Sequence, residues 1–162
     1  YLTDNNCYYI IYNILFIRMM HMDNITSIFR EKKLKLTPQR IAVYKYLMGT
    51  KEHPSAEIIY KALQKDYPTM SLATVYKALK TLVEVNLIQE INVGEGNFRY
   101  DGNSSEHCHI QCLHCGRVDD LEEMDSKSLN EKAETHSKYK IVSNKIYFYG
   151  ICEDCQGESF NN

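Results

Sequence analysis

Cys112 and Cys115 frame one CxxC pair and Cys152 and Cys155 a second, with 36 residues between the pairs. Paired knuckles of this kind offer four thiolates, and Zn²⁺ prefers four soft ligands in a closed tetrahedral site. Gly116, just after the first knuckle, and Gly150, just before the second, suit the tight turns such a site needs. The competing chemistries are a redox dithiol and an iron–sulfur cluster. A thioredoxin-like enzyme would carry one CxxC at a helix start after a strand, so two matched pairs favour a staple. Cys7 and Cys108 are left without a task.

A second group stands just upstream, where His107-Cys108-His109 opens an apparent strand. Residues two apart on a strand share a face, so His107 and His109 point together while Cys108, Ile110 and Cys112 point the other way. Such a pair can clamp a divalent metal, and Asp119 or Asp120 on the next strand could add oxygen ligands. The plain alternative is two ordinary surface histidines.

These groups need a scaffold. Helical patterning runs from Asp23 to Val85. Asp23 caps a short helix over 24–33, and Thr37-Pro38 starts a second that Gly49 closes, with Ile41, Tyr44, Leu47 and Met48 inward. Pro54 begins a third, with Ile58, Ile59, Ala62 and Leu63 on one side, and Tyr67-Pro68 ends it. Ser71 caps a fourth, in which Leu72, Val75, Leu79, Leu82 and Val83 form a core stripe. Its opposite face carries Ala73, Thr74, Tyr76, Lys77 and Lys80, residue types that a helix in the DNA major groove presents to base edges and phosphates. A solvated amphipathic helix would look similar. The apolar run Leu87–Val93, the turn Gly94-Glu95-Gly96 and the segment Asn97–Tyr100 then make a hairpin. Helices followed by a hairpin are the winged-helix arrangement, which favours DNA.

The charge agrees once it is split. The net charge of −2 averages a region 22–90 with 11 Lys/Arg against 7 Asp/Glu and a region 101–162 with 6 against 12. A quarter of the residues are charged and 44% are hydrophobic, which excludes a disordered or collagen-like chain. The run YYIIYNILFIRMM at 8–20 is shorter than the roughly 20 residues a membrane span requires. It also lacks the basic start and cleavage site of a signal peptide, so the expected address is cytoplasmic, where disulfides do not persist. Residues 1–21 are expected to be a non-native or dispensable leader, with an amphipathic arm as the alternative. Residues 22–100 are expected to form the DNA-binding domain, 101–106 a polar hinge, and 107–162 the metal-binding half.

Together these segments resemble the Fur (ferric uptake regulator) family, and within it the peroxide-responsive branch. The resemblance rests on LTPQR (36–40), HPSAEIIY (53–60), SLATVYKALKTL (71–82), RYD (99–101), HCH (107–109), CLHCG (112–116), VDD (118–120), YFYGIC (147–152) and CEDC (152–155). It implies an α+β chain: an N-terminal winged helix, a C-terminal α/β dimerisation domain with a four-cysteine zinc site, and action as a homodimeric repressor on double-stranded operator DNA. It implies structural Zn²⁺ on Cys112, Cys115, Cys152 and Cys155, and regulatory Fe²⁺ or Mn²⁺ on His53, Asp101, His107, His109 and Asp120, with no organic cofactor, no membrane and no enzymatic activity. Two Asp ligands resemble the peroxide sensor, since Glu would be expected at those places in an iron-uptake regulator. A further site of some iron-uptake regulators would fall on Glu106, Cys108 and Asn144 and is not preserved. The chain departs from the pattern at Cys108, where an aromatic residue would be expected, and at Lys77-Ala78, where a more polar pair is usual.

The resemblance further implies that ferrous iron reduces peroxide in place and that His53 or His107 is oxidised, releasing metal and DNA. A metal bound by both halves would fix the hinge and orient two recognition helices for half-sites about one helical turn, or a multiple of it, apart. Three other readings compete. One is a relative that senses iron or zinc concentration. Another is a zinc-dependent hydrolase, against which stand the missing HExxH and the missing nucleophile. The third is a structural zinc module, which leaves the Thr74/Tyr76/Lys77/Lys80 face unexplained. His114 and His136 are expected to be surface residues, and Tyr147 and Tyr149 to pack at a dimer interface.

Overall fold

The computed structural model of the chain describes residues 24–94, 96–121, 124 and 127–157. The expected leader and the Asp23 cap lie outside them. Helix α1 covers 24–31 within the described residues. It stops short of 33 because Lys33 takes a left-handed φ of 54°. The Leu34 amide then bonds back to the Phe29 carbonyl at 2.8 Å, which closes the helix end. Helix α2 (Pro38–Met48) has the expected Thr37 cap, whose side chain accepts from the Arg40 amide.

Helix α3 (Ala56–Leu63) begins two residues later than expected, with Ser55 as its cap. Pro54 stays outside because its carbonyl accepts the Tyr100 amide at 3.0 Å and because Ser55, extended at ψ 167°, caps the helix after it. The inward face is Ala56, Ile59 and Leu63, while Ile58 is 42% exposed and Ala62 is exposed. In α2 likewise Ala42, Val43, Tyr44 and Leu47 are buried, whereas Met48, in the last turn, is 56% exposed and Ile41 half-buried.

Helix α4 (Leu72–Glu84) keeps Val75, Leu79 and Leu82 in the core, adds Ala78, and leaves Leu72 and Val83 half-buried. Asn86, at φ 54°, turns the chain out of it. Phe29, Val43, Leu47, Ile59, Leu79 and Leu82 are all within 1% of full burial, each contributing on the order of 1.5–3 kcal/mol through removal from water.

Strands β1 (Gln89–Asn92) and β2 (Phe98–Asp101) form the expected antiparallel hairpin, with Gln89 opposite Asp101. Asp101 is the last residue of β2. The second sheet has the order β4-β3-β5, from β3 (Cys108–Cys112), β4 (Val118–Leu121) and β5 (Tyr147–Gly150). β3 runs antiparallel to β4 and parallel to β5, the parallel connection crossing over through α5 (Lys127–His136). A short α6 (Glu153–Gln156) follows. No helix among the described residues is long and apolar enough to cross a membrane.

Candidate metal centres and nucleic-acid interface

The β3–β4 pairing sets His109 directly across from Asp120. Asp101 arrives at the end of β2, and His107 stands one residue before β3 instead of on it. His53 reaches the same point from the loop before α3, in a left-handed backbone (φ 48°) that turns its ring inward. It is 2% exposed, and its Nδ1 lies 3.1 Å from the Val118 carbonyl on β4. One ligand atom from each of His53, Asp101, His107, His109 and Asp120 can be chosen so that all lie within 4.8 Å of one another.

The protonation pattern explains what this arrangement requires. Nδ1 of His53 faces a carbonyl and so carries the proton, and Nδ1 of His107 does the same toward the Ser105 carbonyl at 2.8 Å. In neutral rings both Nε2 atoms are then lone pairs. Yet His53 Nε2 lies 2.8 Å from Asp120 Oδ1, and His107 Nε2 lies 3.0 Å from Asp120 Oδ1 and 3.1 Å from Asp101 Oδ2. Acceptor facing acceptor at such distances is repulsive unless positive charge sits between them.

His53 Nε2, Asp101 Oδ2 and His109 Nε2 are buried with no hydrogen-bond partner. A divalent cation among three imidazoles and two carboxylates satisfies all of them, and an all-nitrogen-and-oxygen set suits Fe²⁺ or Mn²⁺. Burial alone would raise the Asp101 carboxyl, but the facing His109 ring, the bond from the Asn103 amide and the nearby imidazoles of His53 and His107 hold it below the usual carboxylate range. His109 is further braced by Tyr147, stacked at 5.9 Å between ring centroids and 23° between planes.

The four cysteines of the two CxxC pairs converge in the same manner, with ligand sulfurs within 4.8 Å of one another. Gly116, at φ 74°, closes the first knuckle. Backbone amides of Cys115 and Cys152 favour the Cys112 thiolate and lower its pKa. The bond with Cys152 and burial push Cys155 the opposite way, because neighbouring sulfurs cannot all ionise without a cation. All five described cysteines are unbridged, in line with four metal ligands and one buried thiol, Cys108. Glu106 and Cys108 belong to neither cluster of His, Cys, Asp and Glu ligands among the described residues.

On α4, Ala73, Tyr76, Lys77 and Lys80 are exposed and Thr74 is half-buried. Ala78 points inward, so of the Lys77-Ala78 pair only Lys77 meets solvent. The Tyr76 hydroxyl donates to the Glu57 carboxylate on α3 at 2.6 Å, which lowers the Glu57 pKa and raises that of Tyr76. The sequence pattern held no signal for this contact, nor for Val118 and Ser105 as anchors of the histidine rings. His114, expected at the surface, is indeed exposed but brings Nδ1 to 3.3 Å from Cys155 Sγ.

Known proteins resemble this chain over most of its length. The ferric uptake regulator family profile matches residues 31–149. A transcriptional regulator, PerR, of Clostridium acetobutylicum is 69% identical over 138 residues, covering 85% of this chain and all of that protein. The peroxide stress regulator of Campylobacter jejuni superposes with a TM-score of 0.65 at 34% identity, over 83% of this chain and 98% of its own. The ferric uptake regulator of Helicobacter pylori, described with three functional metal-binding sites, superposes with a TM-score of 0.69 at 26% identity, over 85% and 93%. With four helices and a hairpin before a second sheet, and a profile match across most of its length, this chain belongs to the ferric uptake regulator family.

Proposed function

We propose that the chain is a metal-dependent, peroxide-sensing transcriptional repressor that acts as a homodimer on double-stranded operator DNA. Cys112, Cys115, Cys152 and Cys155 hold a structural Zn²⁺, and His53, Asp101, His107, His109 and Asp120 hold Fe²⁺ or Mn²⁺. Ala73, Thr74, Tyr76, Lys77 and Lys80 face the duplex. The observation that carries this reading is the meeting of five nitrogen and oxygen donors from a loop beside α3, the wing strand β2 and the β3–β4 sheet. A cation among them ties the winged helix (22–100) to the 107–162 half across residues 101–106. β5 lies at the edge of its sheet with Tyr149 59% exposed, which supports pairing with a second copy there.

His53 and His107 point their Nε2 atoms inward while carbonyls hold Nδ1, so each ring stays in register for a ligand. Bound ferrous iron would supply the reduction of peroxide, with one oxygen atom entering an imidazole C–H bond and the other leaving as water. An oxidised ring loses its donor geometry, the two halves separate, and the DNA-competent fraction falls. A hundredfold drop in that fraction weakens apparent operator affinity by about 2.7 kcal/mol.

The test is operator binding on protein purified without oxygen, before and after peroxide, with metal content followed in parallel. The iron form loses DNA and the peptide holding His53 or His107 gains one oxygen by mass spectrometry, while the manganese form keeps both DNA and unmodified histidines. Release of DNA with both histidines unmodified would sink the oxidation mechanism and leave sensing of metal concentration.

A further inference from the structure

The segment between Asp101 and His107, polar enough in sequence to read as a free hinge, is held at several points. Gly102 sits so close to the end of α2 that a Cβ there would meet the Leu47 carbonyl oxygen at 2.7 Å. The Asn103 amide bonds to Asp101 Oδ1 at 2.8 Å, and Asn103 Oδ1 accepts from the Ser105 amide at 3.1 Å and hydroxyl at 2.7 Å. The remaining tether comes from across the hairpin. Gln89 on β1, register partner of Asp101, donates its side-chain amide to the Asn103 carbonyl at 2.9 Å and to the Ser105 carbonyl at 2.6 Å.

The Ser105 carbonyl is thus shared. One of its lone pairs takes the Gln89 amide and the other the Nδ1–H of His107. That second bond sets the His107 tautomer and aims Nε2 at Asp101 and Asp120. We infer that Gln89 is a positioning residue for the regulatory metal: from the wing it fixes the Ser105 carbonyl, which orients His107, and it holds Asn103, whose amide orients Asp101. Beside Asp101, which itself ends β2, this side chain couples the position of the wing to the geometry of the metal ligands. The inference rests on the proposed metal site.

The experiment compares the full chain with Gln89→Glu and Gln89→Leu for Mn²⁺ affinity by calorimetry and for the visible ligand-field spectrum of the Co²⁺-loaded regulatory site, with zinc content measured alongside. Outer partners of metal ligands typically change affinity by about 10–100-fold. We expect both variants to bind Mn²⁺ at least about tenfold more weakly with an altered Co²⁺ spectrum, at unchanged zinc content. Gln89→Glu is discriminating, because it preserves shape and adds a negative charge that would by itself tighten cation binding. If that variant loses zinc through misfolding, Gln89→Leu carries the test. Mn²⁺ affinity and Co²⁺ spectra unchanged in the folded variants overturn the inference. A wild-type chain that binds no Mn²⁺ overturns the proposed function instead.

Discussion

The two clusters, one of four sulfur ligands and one of five nitrogen and oxygen ligands, differ in construction. The sulfur cluster takes its ligands from two CxxC turns, at 112–115 and 152–155, that flank β3 and β5, neighbours in one sheet. The nitrogen–oxygen cluster takes its ligands from positions 53 to 120, across the winged helix, the hairpin and the second sheet. Four thiolates make a closed set that a tetrahedral ion fills, which suits a permanent staple. Mixed imidazole and carboxylate ligands bind less tenaciously and bridge parts that can move apart, which suits a switch. The lesson is that permanence follows from local, soft ligands and responsiveness from distant, hard ones.

Breaking the staple should have the largest effect. Structural zinc contributes on the order of 10 kcal/mol to folding in small domains, so Cys152→Ser should lose zinc and the order of the second sheet, followed by metal content and circular dichroism. Breaking the switch should do less to the fold. Asp120→Ala or His109→Ala should keep zinc and secondary structure yet lose Mn²⁺-dependent operator binding by about a hundredfold, near 2.7 kcal/mol, in a titration at fixed salt. Should these variants also shed zinc, the two clusters are not independent and the contrast fails.

Smaller perturbations sharpen the same comparison. Gly102→Ala forces a methyl group against the α2 backbone, at a cost of about 1–3 kcal/mol seen in thermal unfolding, and should weaken Mn²⁺ binding without touching zinc. Tyr76→Phe removes the bond to Glu57 and should weaken specific over non-specific DNA binding by about 0.5–1.5 kcal/mol, with both metals retained. In the metal-free protein, Asp101 has a lowered pKa when folded. Its contribution to stability is therefore present above the unfolded carboxylate value of about 3.9 and is lost as pH falls through the lower folded value. Asp101→Asn should flatten that acid limb in unfolding titrations.

Much of this was legible in the chain itself. Caps at Thr37 and Ser71, the left-handed exit at Asn86 and the glycine turn of the wing carry their conformational reasons within a few residues. Periodicity misplaced Ile58, Ala62 and Met48 because it reports which residues share a helix face, while burial depends on which neighbours cover that face. The start of α3 moved for a related reason, since Pro54 is held by Tyr100, 46 positions along. The polar stretch at 102–105 looked free because its anchors, Gln89 and the end of α2, lie elsewhere in the chain.

The sequence by itself determined the four-sulfur cluster, the amphipathic fourth helix and the division of charge, because CxxC turns, helix faces and local composition act over a few residues. The family resemblance grouped His53 and Asp101 with His107, His109 and Asp120, but their spacing could not, and tertiary structure alone decided how they meet and that two carbonyls dictate which imidazole nitrogens look inward. Those contacts join segments that come together only when the hairpin and the second sheet pack, and hydrogen-bond direction exists only once the partners are in place.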